Sequence, residues 1–150
     1  MKDDPRVLIV ESHDVLRVML FTVLRHQPLG VDTAISGPEA LEKVLSCDYA
    51  LIIVDMDLPD GEALEFLNSF HDERPQATSF VLLVRDPKND KPVDPELASA
   101  ILNKPLELDT LGELVRECAL VVPAPEDPLP CPPSESTVRT QMARAPYLSN

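Results

Sequence analysis

Two carboxylates and two cations recur in this chain at the ends of short apolar runs, a set of groups able to form one reaction centre. Val7-Leu8-Ile9-Val10 runs into Glu11, and Leu51-Ile52-Ile53-Val54 into Asp55. Val81-Leu82-Leu83-Val84 runs into Arg85, and Ala100-Ile101-Leu102 into Asn103-Lys104. Charges cannot lie unpaired inside a core, so the pattern gathers them at one solvent-facing edge.

The elements that must position them are strands. Continuous β-branched and leucine runs, alternating with helical patterns, read as strands of a parallel sheet buried on both faces. In open sheets of this kind, chemistry collects beyond the carboxyl ends of the strands. Val15, Leu16, Met19, Leu20, Val23 and Leu24 repeat at helical spacing after the first strand, with Pro28 and Gly30 as the stop. Val31 to Ile35 reads as a weaker second strand. Ser36 caps a helix whose buried stripe is Ala40, Leu41, Val44 and Leu45, with Pro38 in its first turn. The turn Leu58-Pro59-Asp60-Gly61 precedes a helix carrying Ala63, Leu64, Phe66, Leu67 and Phe70, and a fourth strand covers Ser79 to Val84. Pro87, Pro92 and Pro95 then break the pattern, leaving at most a helical turn near Glu96 to Ser99. The last strand, Ala100 to Asn103, is followed by a helix with Leu108, Leu111, Leu114, Val115 and Cys118. Right-handed βα crossovers predict a five-stranded doubly wound α/β sheet with a shortened or missing fourth helix.

Residues 1–121 form the predicted folded domain, and 122–150 a proline-rich extended or disordered tail. Seven of the sixteen prolines lie between Pro123 and Pro146. The formal net charge of -13 repels phosphate backbones and anionic lipid, which argues against nucleic-acid or membrane binding by charge. Cys47, Cys118 and Cys131 are odd in number and free of any CxxC spacing. They argue for a reducing compartment and against a disulfide framework or zinc site. With no signal peptide or membrane span in view, the expected location is cytoplasmic.

The motifs resemble the receiver domain of bacterial two-component response regulators over roughly residues 6 to 120. They are Val7-Leu8-Ile9-Val10-Glu11-Ser12-His13 with Arg17, Gly37-Pro38-Glu39-Ala40-Leu41, Ile53-Val54-Asp55-Met56-Asp57-Leu58-Pro59-Asp60-Gly61 with Leu64-Glu65, and Lys104-Pro105. The resemblance implies a flavodoxin-like strand order 2-1-3-4-5. It implies that Asp55 accepts a phosphoryl group from a sensor histidine kinase or phosphotransfer protein, with Lys104 pairing the phosphoryl oxygens. It further implies Mg²⁺ held by Glu11, Asp55 and the backbone carbonyl of Asp57. The output would be a change in a downstream protein target, from a stand-alone signalling module rather than an enzyme.

The chain departs from that pattern at three positions. Ser12 stands where the family has a second acid, which should weaken the metal by at least ~10–100-fold. Arg85 stands at the Thr or Ser switch position after the fourth strand, and Ile101 at the aromatic switch position on the fifth. Losing one acid and gaining one base predicts that Arg85 pairs with Asp55 and takes the metal's place. On that expectation the alternative is a pseudo-receiver, a protein-interaction module that works without phosphorylation. A third reading compares Val54-Asp55-Met56-Asp57 with the nucleophile motif of haloacid-dehalogenase-type phosphatases. Leu58-Pro59 and the third-strand position count against it.

Overall fold

In the computed structural model, which describes residues 4–137, the element order is β1 (Arg6–Val10), α1 (Asp14–Leu24), β2 (Gly30–Ala34), α2 (Gly37–Ser46), β3 (Leu51–Asp55), α3 (Glu62–Glu73), β4 (Phe80–Arg85), β5 (Ala100–Asn103) and α4 (Leu108–Val121). The strands are all parallel and lie in the order β2-β1-β3-β4-β5. This is the predicted doubly wound α/β sheet.

Strand alternation splits the aliphatic runs between two layers. Leu8, Val10, Ile52, Val54, Val81 and Leu83 face a core shared with α2 and α3. Val7, Ile9, Leu51, Ile53, Leu82 and Val84 face the other, shared with α1 and α4. Both sets are buried, which is why the runs show no polar alternation.

Two helix stripes differ in detail from their sequence reading. α1 buries Leu20, Phe21 and Leu24, while Val15 and Met19 face solvent. In α2, Ala40 and Val44 are buried but Leu45 is exposed. Ser36 caps α2 as predicted, its Oγ accepting from the Glu39 N–H at 3.2 Å.

No helix forms between β4 and β5 among the described residues. Three prolines remove the donors a helix would need. The loop instead lays Val93, Leu97 and Ala98, partly buried, over the α2–α3 core. A shortened or missing fourth helix was the expected outcome.

Residues 122–137 contain no strand, but they are tied to the domain. Cys47, at the C-cap of α2, forms a disulfide with Cys131 across 84 residues. This corrects the expectation of no disulfide framework. Cysteine spacing along the chain carries no information about a pair that only the fold brings together. Residues 138–150, the remainder of the expected tail, lie outside the described residues.

The approach of α2 to α3 depends on Gly37. A Cβ there would sit 2.8 Å from the Glu62 backbone oxygen and 3.1 Å from its Cβ. Gly37→Ala is therefore expected to lower unfolding stability by about 1–3 kcal/mol, because backbone rather than a flexible side chain must yield. Urea denaturation with an unchanged slope would measure it. Wild-type stability in the variant would mean that the helices part at no cost.

Candidate functional site

β1 and β3 are adjacent strands, and Val10 pairs with Val54. The residues that follow, Glu11 and Asp55, therefore emerge side by side at the carboxyl edge. Both are buried, Glu11 at 2% exposure and Asp55 at 6%. Glu11 is fixed by its own N–H on the Ala34 carbonyl at 3.0 Å and by the His13 N–H on its Oε2 at 3.3 Å. Apolar side chains of Ile9, Leu16, Leu20, Ile53 and Leu106 line the same recess. Burial there, followed by the hydrogen bond to Asp55 and that residue's charge, pushes Glu11 up to about 8.

Asp55 Oδ1 takes two donors. The Asp57 N–H lies at 2.9 Å, and Lys104 Nζ at 2.9 Å. Lys104 comes from just beyond β5, where the Lys104–Pro105 peptide is cis. Its Nζ also lies 3.1 Å from Asp57 Oδ2. Burial works against the ammonium, but the Asp55 and Asp57 carboxylates outweigh it and hold Lys104 above its ordinary value. Asp57 is partly screened by protein, which opposes its charge. Asn89, the Asp86 N–H and Lys104 together still keep it below the usual carboxylate range. The bonds are Asn89 Nδ2 to Oδ1 at 2.8 Å and Asp86 N to Oδ2 at 2.9 Å.

Three of the four predicted charges therefore converge, and Arg85 does not join them. Its Nη1 donates to the Lys91 carbonyl at 3.2 Å instead. The register explains this. Asp55 pairs with Val84, on the face of Leu51 and Ile53, so Arg85 starts from the opposite side of the pleat, with Leu83. The expected Arg85–Asp55 pair is corrected: Lys104 holds Asp55. Ile101, 41% exposed on β5, lies outside the cluster.

Sequence reasoning missed two contributors. Asn89 falls in the proline-broken loop, where composition gives no periodicity to place it. His13 caps α1, its Nδ1 accepting from the Leu16 N–H at 3.3 Å. An N-capping position ahead of a helical stripe was the available signal for it.

The donor set can be tested against a divalent cation. Even with Glu11 protonated, Asp55 and Asp57 set two carboxylates against the one Lys104 ammonium, so the site is short of positive charge. Among the described residues no cluster of three or more His, Cys, Asp or Glu ligands is assembled. Asp57 turns its side chain to Lys104 and Asn89, which leaves Glu11 and Asp55 as the carboxylates available. Two carboxylates plus a carbonyl and waters suit Mg²⁺, which keeps much of its hydration. Ser12 at the exposed rim supplies only a hydroxyl. The residues fit the ion.

The raised Glu11 has a measurable consequence without metal. Its folded value of about 8 lies above the usual 4.5, so the folded protein keeps a proton that the unfolded chain releases. The stability linked to it is fully present below about pH 4.5 and is lost as pH rises toward 8. In divalent-free buffer, the melting temperature should fall over that window more steeply for wild type than for Glu11→Gln. Parallel pH curves for the two proteins would contradict the linkage.

Residues 7–116 match the model of the response regulator receiver domain family. The transcriptional regulatory protein PmrA of Pectobacterium parmentieri is 31% identical over 112 residues, covering 74% of this chain and 50% of PmrA. The response regulator ArlR of Staphylococcus aureus is 35% identical over 78 residues, 52% of this chain and 35% of ArlR. The chain thus spans half or less of the length of these curated relatives. Among solved structures, the response regulator TrrA of Thermotoga maritima, in complex with Mg(2+)-BeF, superposes with a TM-score of 0.65 at 26% identity. That alignment covers 76% of this chain and 98% of TrrA. With that match over residues 7–116 and the strand order β2-β1-β3-β4-β5 beside it, the protein belongs to the response regulator receiver domain family.

Proposed function

We propose that this domain takes a phosphoryl group on Asp55 from a histidine kinase or phosphotransfer protein and passes the signal to a protein partner. Receiver domains are signalling modules of phosphorelays, and the observation that carries the residue assignment is the Asp55 carboxylate at the end of β3 with Lys104 Nζ 2.9 Å away. Oδ1 already holds the Asp57 N–H and the lysine, so we assign Oδ2 as the nucleophile. It attacks phosphorus, the P–N bond of the phosphohistidine breaks, and the imidazole leaves with a proton. Before transfer the Asp57 contact keeps the Lys104 ammonium at the rim; Lys104 then follows the phosphoryl oxygens. Bound Mg²⁺ would screen the charge repulsion between carboxylate and incoming phosphoryl group. Glu11, Asp55 and the Asp57 carbonyl would hold it, weakened by Ser12. Glu11 must give up its proton to do so. The expected setting is the cytoplasm; among the described residues no helix is long and apolar enough to cross a membrane.

Arg85 and Ile101 are the proposed readout positions, with the β4–β5 loop joining them. Asn89 and the Asp86 N–H grip Asp57 from that loop. Drawing Lys104 toward a phosphoryl group weakens its hold on Asp57 and so reaches the loop. The test is incubation with a small acyl phosphate and Mg²⁺, read by intact mass. A gain of one phosphoryl group, lost when the metal is chelated, is expected. An unchanged mass at saturating donor and metal would overturn the proposal.

A further inference from the structure

We infer that Cys47 and Cys131 form a reversible oxidation site, a clasp that holds residues 122–137 along the open edge of β2 when oxidised and frees that edge when reduced. The inference is independent of the chemistry at Asp55, which lies at a different edge of the sheet.

β2 is an edge strand, and its outward backbone groups would otherwise face solvent. The proline-rich segment satisfies them with side chains instead of a sixth strand. Ser136 Oγ accepts from the Val31 N–H at 3.0 Å, and Glu135 Oε1 from the Thr33 N–H at 3.2 Å. Thr33 Oγ1 donates to Glu135 Oε2 at 3.0 Å, and the Glu135 N–H to Asp32 Oδ1 at 2.7 Å. Lys43 bridges the Thr33 carbonyl and Glu135. Six of the prolines fall in this stretch, and a proline cannot donate to a ladder, so capping by side chains is the pairing open to it.

What keeps the segment there is the disulfide. Its other anchors are polar: Leu129 N–H on Asp48 Oδ2 at 2.7 Å, Thr78 Oγ1 on the Pro123 carbonyl at 2.8 Å, and Arg6 on the Pro132 carbonyl. The buried residues it contributes are Ser134 and Ser136, with no large apolar side chain among them. Each such hydrogen bond contributes little net against water, while ordering the whole segment costs entropy at every residue. A covalent closure removes most of that cost. The cysteines are suitably placed, with Cα atoms 4.8 Å apart.

Access is asymmetric, as a reversible site requires. Cys47 is 4% exposed, whereas Cys131 lies on the surface. A small thiolate attacks Cys131 Sγ; the S–S bond breaks and Cys47 leaves as thiolate and takes a proton. A second small thiol attacks the resulting mixed disulfide, giving a small-molecule disulfide and the Cys131 thiol. Two thiols are oxidised for the one protein disulfide reduced, and a small disulfide such as oxidised glutathione drives the reverse. In a reducing compartment such a bond is expected to be transient and redox-sensing rather than a permanent staple.

The test uses the full chain equilibrated with reduced or oxidised glutathione, read by intact mass and amide hydrogen exchange. Oxidation should remove two hydrogens. Reduction should speed exchange at Val31 and Thr33 by at least about tenfold, leaving Leu8 and Ile53 protected. Cys131→Ser, an exposed position that spares the core, should show the fast exchange in both buffers. Cys118→Ser should respond as wild type. Equal protection of Val31 and Thr33 in the oxidised and reduced proteins, or three free thiols after oxidised glutathione, would overturn the clasp.

Discussion

Asp55→Asn is expected to take up no phosphoryl group, a loss of more than about a hundredfold in labelling rate, while remaining as well folded as the wild type. The amide has nearly the shape of the carboxylate, and its Oδ1 can still accept from the Asp57 N–H and Lys104. What it lacks is the negative charge and the nucleophilic oxygen. Removing that charge also relieves Glu11, whose elevation owes part of its size to Asp55 after the larger effect of burial. Loss of the Lys104 ion pair opposes this, so the net change in melting temperature at neutral pH should be small. Thermal unfolding and intact mass after acyl phosphate treatment separate the two effects. Labelling that survives the substitution would move the acceptor elsewhere. Asp57 is a poor candidate, because Asn89, the Asp86 N–H and Lys104 already occupy its oxygens.

The parts of this architecture that depend on periodicity were legible in the chain. Runs such as Val7 to Val10 and Leu51 to Val54 can satisfy burial on both faces only in a parallel sheet, and the strand ends followed from where the charges begin. The same logic brought Glu11, Asp55 and Lys104 together. It failed at Arg85, because ending a strand at the right edge does not decide which side of the pleat a residue occupies. The Asp55–Val84 pairing does, and that register is a property of two strands together. Long-range side-chain partners were likewise out of reach. Cys47 and Cys131, or Thr33 and Glu135, are separated by 84 and 102 residues, and nothing in either local sequence names its partner. The proline count after residue 122 predicted an extended or disordered tail, and the described part of it, residues 122–137, carries no strand. It is silent on whether a strandless segment docks, which depends on acceptors meeting an edge that only the folded sheet creates.

Ser12→Asp is expected to tighten Mg²⁺ binding by about 10–100-fold or more, since it adds a carboxylate at the rim beside Glu11. The added charge carries a cost without metal. A further anion near Glu11 and Asp55 should lower the metal-free melting temperature at neutral pH, because only Lys104 compensates the cluster. Arg17 is a nearby cation that could capture the new side chain. Its guanidinium is already committed to the Glu11 carbonyl at 3.1 Å, the Ser12 carbonyl at 3.3 Å and Asp14 at 2.5 Å. With saturating metal the order should reverse. A 10–100-fold gain in affinity adds about 1.4–2.7 kcal/mol of stabilisation at a fixed concentration well above both dissociation constants. Melting curves along a Mg²⁺ titration should therefore start lower for Ser12→Asp and cross above the wild type. Curves that stay parallel at every concentration would show that the ion does not sit between Glu11 and Asp55. The proton on Glu11 would then belong to the site's working state, and phosphoryl uptake would have to proceed with Lys104 as its principal source of positive charge.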